Sequence, residues 1–464
     1  HLITTSKTIA RRFLETRNEA EKSLGASREF RYARTVTPVS RNDTAFIYLS
    51  DQFFRTFVDP AFRVEMTRRA ASESEIELAQ LAILSAKAEN QPHSSFDELI
   101  FSGFLPDDFL LRADGSQLVL KDGAVTDSLR GARGSFLPLP DVQVGQVTKS
   151  EVSGYEIFSK NYARIWTWMD PATLAVQRHV LENQERLVLD VHMYPYPRRE
   201  MGFLEMLALK KSKQRLAAIP DAVFLAEANF FGMTPAFVGM ADFDPPIVVK
   251  DGRLDDLSNP GQVPWFIGGM PTKGILSYFG PPKDRDWKDG EITKLRDDPS
   301  RDIFDAQFGY KDESFSALSP RRFALEPLVG NVKLIDADRE AEMRIRIGDL
   351  ANSRFLRYLN AQYWLAAQDV TEGHEELLNR MVTQFRIPAE SAKRTVESIL
   401  QARPVNPLGG DYVTDQTQVI SSNATTSLMT FEHRLMKRVR SADFELTTEG
   451  TTLTAHAEVL LTVP

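Results

Sequence analysis

A chain of 464 residues, 42% hydrophobic and 26% charged, is long enough for at least two hydrophobic cores and has the make-up of a folded protein, which excludes wholesale disorder. Its 64 acidic residues against 56 basic ones, a formal charge of -8, supply no general attraction for phosphate backbones or anionic lipid, so nucleic acid is not an expected partner. The absence of Cys removes disulfides, thiol catalysis and thiolate metal sites, and no apolar run reaches the roughly 18 residues of a transmembrane helix.

Residues 1–30 read as a polar helical arm in which Ile9, Phe13 and Ala20 leave a ragged apolar stripe. Asp43-Thr-Ala-Phe-Ile-Tyr-Leu-Ser50 alternates as a strand feeding a helix that Ser50 caps, that carries Phe53, Phe54 and Phe57, and that Asp59-Pro60 ends. Ser72 and Glu75 have capping-box spacing for an amphipathic helix through Ile76, Ala79, Ala82 and Ala86. Ser95 and Glu98 cap a shorter helix that Gly103 can stop, and Asp114-Gly115 turns the chain back into a strand. The Gly- and Pro-rich passage 131–140 reads as a surface loop held by ion pairs among Asp127, Arg130, Arg133 and Asp141. Ser153 and Glu156 repeat the capping-box spacing before Tyr155, Phe158, Tyr162, Ile165 and Trp166, and Asp170-Pro171 ends that helix.

The pattern then alternates: Thr173 to Leu181 and Arg186 to Met193 predict an antiparallel hairpin. Met201, Leu204, Leu207 and Ala208 predict a helix. The strand entry Asp221-Ala-Val-Phe-Leu-Ala echoes Asp43-Thr-Ala-Phe-Ile-Tyr, as two divergent copies of an α/β unit would. Residues 242–320, rich in Pro, Gly and Asp, read as an irregular lobe. Asn331-Val-Lys-Leu and Met343-Arg-Ile-Arg-Ile347 alternate as strands, helical segments follow at about 353–369, 372–385 and 388–401, and Phe444-Glu-Leu and Leu453 to Leu461 alternate again across Glu449-Gly450. The expected fold is multidomain α+β, with antiparallel or mixed sheets and packed amphipathic helices, divided as 1–30, 31–150, 151–327 and 328–464.

The chemistry is sparse. No His-Glu-x-x-His, Gly-x-Ser-x-Gly, P-loop or dinucleotide fingerprint is present. Asp190 and His192 fall on one face of a strand and are the best catalytic or metal candidates, with the solvated face of a hairpin as the plainer explanation. Asp284, Asp286, Asp289 and Glu291 make an acidic run that misses EF-hand spacing; a nonstandard calcium loop is the reading in which they bind metal, an exposed charged turn the reading in which they do not. No other cofactor is expected. Trp168, Trp265 and Trp287 are the candidate interface aromatics.

Glu75-Ile-Glu-Leu-Ala-Gln-Leu-Ala-Ile-Leu-Ser-Ala-Lys-Ala-Glu-Asn-Gln-Pro92 and its continuation to Pro106 resemble the stem and first loop of bacterial type IV pilin-like and type II pseudopilin-like domains. Asn406-Pro-Leu-Gly-Gly410-Asp-Tyr412 resembles a Pro-x-Gly-Gly-x-Tyr segment of such domains, with Asn where a Cys is often found. These segments, with the helix ending in Trp168-Met-Asp-Pro171, also resemble parts of large exported proteins of environmental bacteria. The resemblance covers about a tenth of the chain, lacks the apolar assembly helix, and carries no catalytic residue. It implies a periplasmic or extracellular setting and contacts with other envelope proteins or self-assembly, and leaves open whether a signal peptide or anchor lies outside the chain. The function expected on these grounds is a noncatalytic extracytoplasmic scaffold or protein-binding component. A hydrolase or metal-dependent enzyme using Asp190 and His192, and a soluble ligand-binding module, are the alternatives.

Overall fold

The computed structural model describes residues 4–19, 23–38, 40, 42–110, 112, 114–121, 123–166, 171–194, 209–230, 233–250, 253–254, 263–270, 287–295, 306–415, 417–422, 427–450 and 452–463. The fold is α+β and multidomain, with a large antiparallel sheet, several small ones and packed helices. The chain forms two compact units: the first combines His1–Arg31, Asp51–Thr167 and Ala366–Thr426, the second Tyr32–Ser50, Trp168–Leu365 and Ser427–Pro464.

In the first unit, Asp59 and Pro60 do more than end the helix Asp51–Val58. The Asp59 carboxylate accepts from the Phe62 N–H at 2.9 Å and Pro60 takes the first helical position, starting a helix that runs unbroken over Pro60–Ala88. The expected start at Ser72 is therefore corrected: Ser72 is buried mid-helix and donates to the Asp127 carboxylate at 2.7 Å. The second capping box is corrected by one turn as well. Thr148 and Glu151 exchange backbone N–H to side-chain bonds of 2.8 and 3.2 Å at the start of Lys149–Trp166, where Ser153 and Glu156 were expected to do so. Ser95 caps Phe96–Phe101 as expected.

Arg130 is the centre of this unit's polar interior. It is 1% exposed, and its guanidinium reaches both Glu65 oxygens at 3.0 and 2.9 Å, Asp114 at 2.6 Å and Asp127 at 3.1 Å. Arg112 adds a hydrogen bond to Asp127 at 2.7 Å and an ion pair with Glu75 at 2.6 Å. Burial works against charge at Arg130 and Asp114, yet bonds to Glu65 and Asp114 raise the arginine pKa, and bonds from Ser116 and Arg130 hold the Asp114 carboxyl well below its usual range. The other two residues expected in this set belong elsewhere. Arg133 pairs with Glu77 at 3.0 Å, and Asp141 anchors the arm helix Lys7–Asn18 by accepting from Thr8, Lys7 and Ser6, which holds its carboxyl down to about 2. The apolar core beside the network comprises Ile76, Ala79, Phe96, Leu99, Leu118 and Val125.

Two of the three helical segments expected between 353 and 401 are one helix, Leu356–Thr383, whose residues from Ala366 onward belong to this unit. It passes the expected break because Thr371 is satisfied within it, donating to the Ala367 carbonyl at 2.8 Å. Ala389–Leu400 is the next helix.

The second unit is built on one sheet of twelve strands, labelled in chain order β1 (Asp43–Leu49), β2 (Ala172–Val180), β3 (Gln184–Met193), β4 (Ala222–Phe230), β5 (Met233–Ala241), β6 (Trp265–Gly269), β7 (Thr293–Lys294), β8 (Phe308–Lys311), β9 (Ser316–Ser319), β10 (Met343–Ile347), β11 (Val439–Glu449) and β12 (Thr452–Thr462). Their spatial order is β1-β2-β3-β12-β11-β10-β4-β5-β6-β9-β8-β7, every pairing antiparallel. The hairpins β2–β3 and β11–β12 were expected. β1 is followed by the helix Asp51–Val58, whereas β4 is followed by its paired strand β5. Leu216, Leu225, Phe237, Phe266, Leu325 and Leu328 form a core on one side of the sheet. Gly239 and Gly268 are required there, since a Cβ on either would fall inside the facing ring, Phe266 or Phe237.

Candidate interaction face and the charged row behind it

Residues directly opposite in an antiparallel sheet share a face, so the strand register fixes what each side presents. One row runs Ala45, Val176, Leu189, Ala457, Phe444, Ile345, Ala226, Val238, Ile267 and Leu318 across ten strands, and every member is apolar. Two residues along, on the same face, lie Ile47, Leu174, Val191, Ala455, Leu446, Met343, Ala228 and Ala236. A further row, with Leu187, Val459, Ile347 and Met240, packs under Leu350, Phe355, Leu359 and Met436, and the Leu318 end packs with Leu295 and Trp287. Between these boundaries the face is open among the described residues: Phe444 is 39% exposed, Val238 42% and Ile47 48%, while Leu189, Val191, Leu446 and Ile345 are half-buried.

The opposite face carries the charge. The register row Asp190, His456, Glu445, Arg344 and Glu227 crosses β3, β12, β11, β10 and β4 with anionic positions on alternate strands and His or Arg between them. Arg344 is 6% exposed and Glu227 7%. The ribbon made by Ser212–Leu216 and Leu334–Ala341 supplies partners. Arg344 donates to the carbonyls of Ser212, Gln214 and Arg339 at 2.9, 3.2 and 2.7 Å and to Glu445 at 3.0 Å, and the Leu216 N–H donates to Glu227 at 2.8 Å. Burial raises the Glu227 carboxyl pKa against the pull of that N–H and of Arg344.

This arrangement inverts the usual half-solvated antiparallel sheet, which buries its apolar residues and shows its polar ones. On β4, Leu225, Glu227 and Asn229 are buried while Phe224, Ala226 and Ala228 are half-exposed. On β10, Met343, Ile345 and Ile347 share the apolar face, and Arg344 and Arg346 the other.

The expected pair separates in this setting. Asp190 accepts from His456 Nδ1 at 2.7 Å and from Arg339 Nη1 at 3.2 Å, which holds its carboxyl below the usual range. A carboxylate only accepts, so Nδ1 of His456 carries the proton in this bond. His192 does not bond Asp190. It lies between Thr173 and Thr454 in register, and its buried Nδ1 has no hydrogen-bond partner among the described residues. Burial lowers the His192 pKa, with the Asp190 charge opposing. Sequence reasoning missed His456, Arg339, Arg344 and Glu445. The alternation in Met343-Arg-Ile-Arg-Ile347 and Leu453-Thr-Ala-His-Ala-Glu-Val was the available signal, but it does not say which side is covered.

Among the other candidates, Trp265 opposes Met240 at the border of the apolar face, and Trp287 packs with Leu295 and Leu318. Trp168, Asp284 and Asp286 lie outside the described residues. Asp289 and Glu291 are exposed and meet Lys311 at 3.0 Å and Lys288 at 3.7 Å. No group of three or more His, Cys, Asp or Glu able to hold a metal ion occurs among the described residues. No protein family, curated protein or solved structure matches this chain.

Proposed function

We propose that this chain is a noncatalytic binding or scaffold component that meets a protein partner through the apolar face of its large sheet. The observation that carries the reading is the pair of all-apolar register rows, left open across a sheet whose charged side is the covered one. The use of Asp190 supports it too: a carboxylate already held by His456 and Arg339 has a structural ion pair as its simplest role. The periplasmic or extracellular setting, with other envelope proteins or self-assembly as partners, belongs to the same proposal and rests on the pilin-like segments.

Size measurement and chemical crosslinking of native material test this. The expected result is a persistent assembly whose crosslinks include the second unit. A monomer that retains no partner, together with turnover in a hydrolase screen that Asp190→Asn abolishes, overturns it.

A further inference from the structure

We propose that the charged side of the large sheet holds a binding site for a small organic carboxylate with an apolar body, gripped by Arg215 and Arg346. The site lies on the side of the sheet away from the open apolar face, so it stands independently of the reading above. Three observations carry it. The first is room. Two residues along from Arg344, Arg346 lies opposite Asp443 on one side and Leu225 on the other, and these three, with Arg215 and Ile335 of the ribbon, line a cavity of about 550 Å³. That volume is within the usual span of small-molecule sites.

The second is a shortage of acceptors. The Arg215 Nε is buried without a hydrogen-bond partner, and among the described residues the one ion pair of this side chain, from Nη1 to Asp443 Oδ1, spans 4.0 Å. Arg346 donates to the same oxygen at 2.7 Å through its own Nε. Two guanidiniums thus share one carboxylate. Buried donors are normally satisfied, and a guanidinium takes a carboxylate through two parallel N–H bonds, so a ligand carboxylate supplies what Arg215 lacks. The third is the choice of anion. Ile335 lies directly opposite Arg215 in the ribbon, on the same face, and is 40% exposed, which sets an apolar surface beside the guanidinium. The other carboxylates of the lining are engaged or opposed to a second negative charge. Asp349 is bonded by Arg440 at 3.1 Å and Asn352 at 2.8 Å, and Asp242 by Ser353 at 2.6 Å and the Arg354 and Phe355 N–H groups at 3.1 Å. Asp221 and the shared Asp443 remain, and they disfavour a phosphate dianion more than a single carboxylate.

The test titrates the full chain with phenylacetate and with isovalerate, followed by calorimetry and by thermal shift, with inorganic phosphate and methyl phenylacetate beside them. At least one of the two acids should bind with one-to-one saturation and more tightly than phosphate or the ester. Arg215→Met should weaken that acid about tenfold or more, because it removes the charged donor. Arg186→Met, which takes a guanidinium from the same side of the sheet outside the cavity lining, should leave the affinity unchanged. The Arg215 side chain makes no hydrogen bond among the described residues, so its loss should leave the thermal melt unaltered. Ile335→Glu, at an exposed position, is the second variant and should reject both acids.

Neither heat nor a thermal shift from either acid at millimolar concentration overturns the proposal. So does equal affinity of wild type and Arg215→Met, or of acid and ester, or phosphate binding as tight as that of the acids. Should Arg215→Met fail its melt, Ile335→Glu decides, and an affinity equal to wild type there sinks the site.

Discussion

Arg130 in the first unit and Arg344 in the second are both buried arginines among carboxylates, and they serve different ends. Around Arg130 the acceptors are side chains: Glu65 on the long helix, Asp114 in a turn and Asp127 at the end of a short strand, so the cation fastens three local elements together. Around Arg344 three of the four acceptors with hydrogen-bond geometry are backbone carbonyls of the covering ribbon or its end, and the fourth is the neighbour in a register row. The first network closes on itself; the second belongs to a register row that runs strand to strand as far as Asp190. A buried charge is thus no mark of function by itself. What distinguishes the second unit is the apolar face that its inward charges leave on the outside.

The largest effect should come from the closed network. Arg130→Met takes the donor from Glu65 Oε2 and Asp114 Oδ2 and should cost the first unit about 3–5 kcal/mol in urea unfolding. Arg130→Lys should recover little, because one ammonium cannot span the fork that reaches Glu65 and Asp114 together. A loss below about 1 kcal/mol would break the comparison. Arg344→Met should cost the second unit less, about 2–3 kcal/mol, because water can replace its cation at the ribbon carbonyls more readily than at three buried carboxylates. Equal losses would mean that the ribbon seals its row as tightly as the first unit seals Arg130.

Local order was legible where a short-range signal has one physical solution. Ser95 with Glu98, the hairpin pattern of Thr173 to Leu181 and Arg186 to Met193, and the alternation on either side of Gly450 each fixed an element. Asp59-Pro60 misled because the pair that stops one helix is also a cap and first residue for the next. The candidate site was legible only as halves. Alternation placed Asp190 and His192 on one face, but the partner of Asp190 comes from 266 residues away on β12, a distance no spacing rule spans. Alternation also cannot tell a covered charged face from a solvated one. That distinction arises from the ribbon Ser212–Leu216 and Leu334–Ala341, whose pairing is itself long-range.

The smallest expected effect concerns His192, the member of the polar face with a buried, unpartnered nitrogen. Its folded pKa lies below the unfolded value of 6.5 because burial penalises the imidazolium more than Asp190 favours it. As pH falls below 6.5 the unfolded chain takes up a proton that the folded chain refuses, so stability declines down to the folded pKa and no further on this account. Asp190, whose pKa is also depressed, loses its contribution only at lower pH, as protonation passes through its folded value. Between pH 7 and pH 5 the His192 share should be a loss of stability on acidification. Urea unfolding of wild type and His192→Gln at both pH values isolates it, since every other ionisable group is common to the two proteins. The variant should lose less stability on acidification than wild type. Equal losses would place the His192 nitrogen in water, and the polar side of the sheet would then be wet between Thr173 and Thr454, more open than the Arg344 end of the same face.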